Sequence, residues 1–91
     1  MPVKIRIPTP LRSATNGRDI VELKAASLSG LIDSLDSTYP GIKERLVGDD
    51  GDIRHFVNVY VNGEDVRFLQ GLDTSLKDGD EISIVPAVAG G

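Results

Sequence analysis

Ninety-one residues with a net charge of -4 leave room for one domain and a modest core, of the kind that stays folded by roughly 5 to 10 kcal/mol. Acidic residues are spread along the chain and Lys and Arg form no block, which argues against nucleic acid or an anionic membrane as partner and favours a basic protein surface. With no cysteine the chain offers no disulfide, thiolate metal site or thiol nucleophile, and its four aromatics, Tyr39, Phe56, Tyr60 and Phe68, are too few for a stacking platform.

The opening MPVKIRIPTP alternates apolar residues with charges, so it does not read as a signal peptide, and no later stretch approaches membrane-spanning length. A cytoplasmic location is expected. Val3, Ile5 and Ile7 against Lys4 and Arg6 show the period-two pattern of a half-buried strand, which Pro8 and Pro10 stop. Asn16-Gly17 is a tight-turn signal, and DIVEL behind it alternates with Val21 and Leu23 inward and Ile20 and Glu22 outward, which predicts a β-hairpin. Leu28, Leu31, Ile32, Leu35 and Tyr39 then fall at helical spacing, with Ser27 placed to cap the first turn. Gly30 costs that helix up to about 1 kcal/mol relative to alanine, so it marks either a close packing contact or a weak first turn. Pro40 breaks the helix and is suited to the first turn of a short second one, PGIKERL, with Ile42 and Leu46 inward.

VGDDGD is a polar loop expected to be flexible. FVNVYVNGEDVRF puts Val57, Val59 and Val61 on one face, turns at Asn62-Gly63 and continues through Val66 and Phe68 as a second hairpin. LDTSLKDGD has Leu72 and Leu76 at helical spacing and a turn at Asp78-Gly79, and EISIV closes as a strand with Ile82 and Ile84 on one face. The order β-β-α-β-β-β, with a helix between two hairpins, predicts an α+β roll of the ubiquitin-like kind: a mixed sheet with one main helix on one face.

No constellation of catalytic residues emerges. His55 stands without a Ser, Cys or second His at motif spacing and reads as a surface or strand-edge residue. Asp49, Asp50 and Asp52 around Gly51 lack the closing bidentate Glu of a calcium loop, and no glycine cluster sits between a strand and a helix to cradle phosphate. The chain is therefore expected to bind no metal or cofactor and to be handled by enzymes instead of being one.

What remains is the tail. Pro86 has no amide to donate and ends the sheet, dividing a domain over 1–86 from a flexible tail over 87–91. Ala87, Val88 and Ala89 have little bulk to pack down. Gly90 and Gly91, without β-carbons, suit a backbone that must enter a narrow channel and deliver a carboxylate into a buried site. A Gly-Gly taken alone reads as an ordinary frayed chain end.

In context it reads differently. LKDGDEISIVPAVAGG joins an apolar residue, a Gly-Asp turn, an alternating strand, a proline and a terminal diglycine in an order that resembles the ubiquitin-like (β-grasp) sulfur-carrier family. That ThiS/MoaD-type family includes the small subunit of molybdopterin synthase and the thiamine-pathway carrier. SLSGLIDSLDSTYPGIKERL and VNVYVNGEDVRF also look like it, so the resemblance covers nearly the whole chain. IPTPLR, YPGIKERL, RHFVNVYVNGEDVRF and PAVAGG look most like the branch that serves cysteine biosynthesis from O-phosphoserine. Ala87, where molybdopterin synthase subunits often carry a second proline, leans the same way.

The resemblance implies a carrier and not an enzyme. A terminal carboxylate, with a pKa of about 3.5, is ionised at neutral pH and a poor electrophile, so it needs activation. In the family an adenylating enzyme of the ubiquitin-activating type uses ATP and Mg²⁺ to form an acyl-adenylate, and sulfur replaces AMP to leave a thiocarboxylate, here at Gly91. In the cysteine branch this sulfur adds to an aminoacrylate in a pyridoxal-phosphate enzyme resembling cysteine synthase, and a metalloprotease releases the product. The runner-up roles are the small subunit of molybdopterin synthase and a protein modifier joined to lysines through Gly91. By resemblance the partner-binding residues are Gly90, Ala89, Val88, Ala87, Pro86, Val85 and Phe68, with Arg67 or Arg54 as polar rim. Alternation alone leaves open whether Phe68 and Val85 are docking residues or core.

Overall fold

The computed structural model describes residues 2–86, and Ala87, Val88, Ala89, Gly90 and Gly91 lie outside the described residues. Five strands, β1 (Val3–Arg6), β2 (Ile20–Leu23), β3 (Val57–Val61), β4 (Glu64–Asp65) and β5 (Glu81–Pro86), form one mixed sheet in the order β2-β1-β5-β3-β4. Two helices, α1 (Leu28–Thr38) and α2 (Ile42–Leu46), separate the second and third strands in sequence. The arrangement is the ubiquitin-like β-grasp.

The core follows from the alternation. Cross-strand registers pair Val21 with Ile5 and Ile5 with Ile82, and Val61 with Ile82 and Val59 with Ile84, so one sheet face is a continuous apolar layer. Leu28, Leu31, Ile32 and Leu35 of α1, with Ile42 and Leu46 of α2, bury against that layer. Each such side chain contributes about 1.5 to 3 kcal/mol on burial. The opposite face carries Lys4, Arg6 and Glu81 outward, with no helix among the described residues placed to cover it.

The helical region follows its sequence except at Pro40, and with one addition. Ser27 Oγ accepts a hydrogen bond from the Gly30 amide at 3.1 Å, capping α1. Asp36 closes the next junction: its Oδ1 accepts from the amides of Gly41 and Lys43 at 3.0 and 3.1 Å. Gly41, at φ 101°, is the N-cap of α2, so Pro40 stands outside that helix and not in its first turn. Lys43 Nζ donates to Asp33 Oδ1 at 2.8 Å, and this hydrogen bond holds the lysine pKa above its ordinary value.

Three local expectations need correction. The β1–β2 connection is a longer arch and not a tight hairpin: a 3-10 helix over Thr9–Thr15 fills it, and Asn16-Gly17 stops that helix, the Gly17 amide donating to the Arg12 carbonyl at 2.7 Å. The second hairpin does turn at Asn62-Gly63, both at positive φ, yet β4 ends after two residues and Val66–Phe68 is a 3-10 turn. Leu72 lies in a 3-10 turn, Gly71–Asp73, but Leu76 lies beyond it. Thr74 Oγ1 donates to the Gly71 carbonyl at 2.7 Å, and the Leu76 amide donates to Ala26 at 2.9 Å instead of continuing a helix. VGDDGD is a loop closed by an isolated bridge between Val47 and Ile53.

Gly30 turns out to make no close packing contact. A β-carbon there would meet Ser27 Oγ at 3.4 Å, a van der Waals distance. Gly30→Ala is therefore expected to stabilise the fold by up to about 1 kcal/mol, read as a rise in the denaturant midpoint at unchanged m-value.

Candidate functional site

The feature that organises the site is the position of β5. It is the middle strand, parallel to β1 through Lys4↔Glu81, Ile5↔Ile82 and Arg6↔Ser83, and antiparallel to β3 from Val61↔Ile82 through Val57↔Pro86. Pro86 is thus held within the sheet, opposite Val57, when the chain passes on to residues 87–91.

Both ends of β5 are tied. At its start, Asn62 Nδ2 donates to Asp80 Oδ1 at 3.0 Å, while Asn62 Oδ1 accepts from the Glu81 amide at 2.9 Å. The Lys77 amide donates to Asp80 Oδ2 at 2.8 Å, and the Lys4 amide to the Asp80 carbonyl at 2.9 Å. The Asn62 hydrogen bond, followed by that from the Lys77 backbone, holds the Asp80 carboxyl below the ordinary aspartate range. At its far end Val57, opposite Pro86, accepts a hydrogen bond from Arg67 Nη2 at 2.7 Å.

The open question about Phe68 and Val85 resolves toward the surface: Phe68 is 87% exposed and Val85 42%. Val85 stands across from Asn58, and Asn58 Oδ1 accepts from Arg67 Nη1, so Arg67, Asn58 and Val85 form one row across β3 and β5. Arg67 is committed inside the chain, since Nη2 also lies 3.4 Å from the Arg54 carbonyl and Nη1 3.9 Å from Asp65 Oδ2. Arg54 is engaged too: its Nε donates to the Glu44 carbonyl at 2.8 Å and its guanidinium lies 5.9 Å from the Phe56 ring centre. An apolar groove lined by Pro10, Leu11, Phe56, Val57, Ile84 and Pro86, with Glu44, Arg45 and Arg54 beside it, adjoins the same end of β5.

Sequence reasoning missed Asn58 and the exposed Phe56; the outward position of Asn58 in VNVYV is a signal, but its tie to Arg67 is not. His55 is exposed, just before β3, as expected. Among the described residues no group of His, Asp or Glu side chains could hold a metal ion, and no helix is long and apolar enough to cross a membrane.

Asp80 gives the anchor a pH signature. Because the folded chain keeps this carboxyl ionised to lower pH than the unfolded chain does, its contribution is complete above the unfolded pKa and fades as pH falls through the folded one. Asp80→Asn should lower the melting temperature by a few degrees at neutral pH, with the deficit vanishing below the aspartate range, measured by thermal unfolding across pH.

Comparison with known proteins gives this geometry its context. The ThiS family model matches residues 5–91. The chain is 47% identical to the sulfur carrier protein CysO of Mycobacterium tuberculosis over 93 aligned positions, covering 100% of each chain. It is 42% identical over 66 positions to small archaeal modifier protein 3 of Haloferax volcanii, covering 72% of this chain and 71% of that one. The crystal structure of the Amycolatopsis orientalis BexX/CysO complex contains a chain that superposes with a TM-score of 0.92 at 50% identity, covering 98% of this chain and 99% of that one. The chain belongs to the ThiS family.

Proposed function

We propose that this protein is a sulfur carrier of cysteine biosynthesis that acts through Gly91, with residues 1–86 as the presenting domain and 87–91 as the segment delivered to partners. The observation that carries the reading is the full-length match to a sulfur carrier protein, which takes in Gly90 and Gly91. A central β5 tied at both ends supports it, because a carboxylate that must reach a partner's reaction centre gains from a fixed point of departure.

The chemistry divides between partners. In an adenylating enzyme of the ubiquitin-activating type, a carboxylate oxygen of Gly91 attacks the α-phosphorus of Mg²⁺-bound ATP; the new P–O bond forms as the bond to pyrophosphate breaks. Hydrosulfide or an equivalent sulfur nucleophile then attacks the acyl carbon, AMP leaves with the C–O electron pair, and a proton is lost. The resulting thiocarboxylate is an ionised sulfur nucleophile near neutral pH. It suits addition to an electron-poor carbon presented by a pyridoxal-phosphate enzyme of the cysteine-synthase type, with a metalloprotease cutting the product from Gly91. ATP, pyridoxal phosphate and zinc belong to those partners. An ATP-rich, reducing cytoplasm suits the cycle.

Phe68 and Val85, both exposed, would supply apolar docking contacts, with Ala87, Val88, Ala89, Gly90 and Gly91 entering the partner's channel. A second reading, covalent modification of other proteins through Gly91, is favoured by the similarity to small archaeal modifier protein 3. One activated terminus serves both, and the acceptor decides between them.

The test is incubation of the full chain with a family activating enzyme, ATP, Mg²⁺ and a sulfide source, followed by intact-mass measurement. Wild type should gain a species with one terminal oxygen replaced by sulfur, and a chain lacking Gly90 and Gly91 should not. No thiocarboxylate in wild type defeats the carrier reading. Conjugates that survive denaturation would instead support the modifier. In the same assay Phe68→Ser is expected to raise KM for the carrier about tenfold with little change in kcat, as loss of roughly 1.4 kcal/mol of docking energy requires.

A further inference from the structure

β4 pairs with β3 only at Tyr60↔Asp65 and Val61↔Glu64, so it does not cover the first half of β3. At Val57, the residue that faces Pro86, the backbone groups find other partners. The Val57 amide donates to the Arg54 carbonyl at 3.0 Å, and the Val57 carbonyl accepts from Arg67 Nη2 at 2.7 Å. The same guanidinium lies 3.4 Å from the Arg54 carbonyl and donates to Asn58 Oδ1 through Nη1. Its own backbone is fixed as well, because the Arg67 amide donates to Asp65 Oδ1 at 2.9 Å. One planar group therefore gathers 54, 57 and 58, three positions that lead into the strand holding Pro86.

We propose that Arg67 is a positioning residue for the C-terminal tail: its guanidinium replaces the missing length of β4, fixes the start of β3, and so fixes the point at Pro86 from which residues 87–91 depart. This rests on the carrier reading for its consequence and on the geometry alone for its premise. A fork with several coplanar donors does this more completely than a lysine, since an ammonium is a point charge with no fixed plane. Arg67 acts through Val57 and does not touch the reacting atoms. Its loss should therefore act on the aim of the tail and not on docking through the exposed side chains of Phe68 and Val85.

The experiment uses the full chain carrying Arg67→Met or Arg67→Lys, with Asn58→Ala as a milder variant that removes one acceptor should Arg67→Met fail to fold. Two readouts are taken: acyl-adenylate formation by the activating enzyme, and residue-resolved amide exchange of the free chain. Arg67→Met is expected to lower kcat about tenfold with KM for the carrier within about twofold, the pattern of a misplaced reacting group. Amide exchange at Asn58 and Val85 should speed by about fivefold or more, with Ile5 and Val21 unchanged, and Arg67→Lys should restore part of both. A raised KM at unchanged kcat would make Arg67 a partner contact and overturn the proposal, as would unchanged kinetics and exchange. Faster exchange spread evenly over the sheet would reduce Arg67 to general stability and overturn it too. If wild type is never adenylated the carrier reading fails, while exchange at Asn58 and Val85 still decides whether Arg67 fixes this end of β5.

Discussion

Everything in this fold is arranged around a C-terminal strand in the middle of the sheet. β5 pairs on one side with β1, the first strand, and on the other with β3, so it has no free edge. The parallel β1–β5 pair joins segments about as far apart in sequence as the chain allows. Such a pairing needs a crossover between the two strands, here one in which α1 and α2 pack across one face of the sheet. Ile82 meets Ile5 on one side and Val61 on the other, so the same apolar contacts that hold the core also hold β5 in register. A one-residue slip would turn Ile82 and Ile84 to the open face, which is why the register, and with it the position of Pro86, is strongly specified. Fold stability and the placement of Pro86 are one property.

This explains why a domain with so little chemistry of its own can serve a reaction. Among the described residues the charges lie outside the core, and the two buried polar residues, Thr15 and Thr74, are satisfied by backbone partners. A compact support that fixes a departure point needs no reactive side chain. The demand falls instead on the two ties of β5. One is the Asp80–Asn62 link at its start, and the other is the guanidinium that reaches Val57 at its end.

The strands, the main helix and its Ser27 cap were legible because they rest on near-neighbour periodicity. Alternation from Val3 to Ile7 and from Val57 to Val61, and the Leu28, Leu31, Ile32 and Leu35 stripe, each state a buried face in a few residues. What was not legible depends on hydrogen bonds between distant positions. Asn16-Gly17 carries the same signal whether it closes a hairpin or stops a 3-10 helix, and only the Gly17 bond back to Arg12 distinguishes them. Leu72 and Leu76 have helical spacing, yet Leu76 is recruited by Ala26 across the fold, which no local pattern announces. Arg67 reads as a polar rim residue because nothing in NGEDVRF reveals that its acceptors lie nine to thirteen residues earlier.

The shortness of β4 joins these observations. Had Val66 and Phe68 continued the strand, two residues apart, they would share a face, both buried or both open. The 3-10 turn over Val66–Phe68 separates them, with Val66 fully buried and Phe68 almost fully exposed. A large aromatic is thereby placed outward on a well-anchored backbone, at the cost of leaving β3 without a strand neighbour on its β4 side at Val57. An unpaired strand edge invites pairing with other chains and loosens what it borders. Arg67, lying between Val66 and Phe68, closes that gap with its side chain. The same three-residue turn therefore buries an anchor, presents an apolar contact and completes the sheet at the point that governs Pro86, so a change at Arg67 and a change at Phe68 should act on different steps of one task.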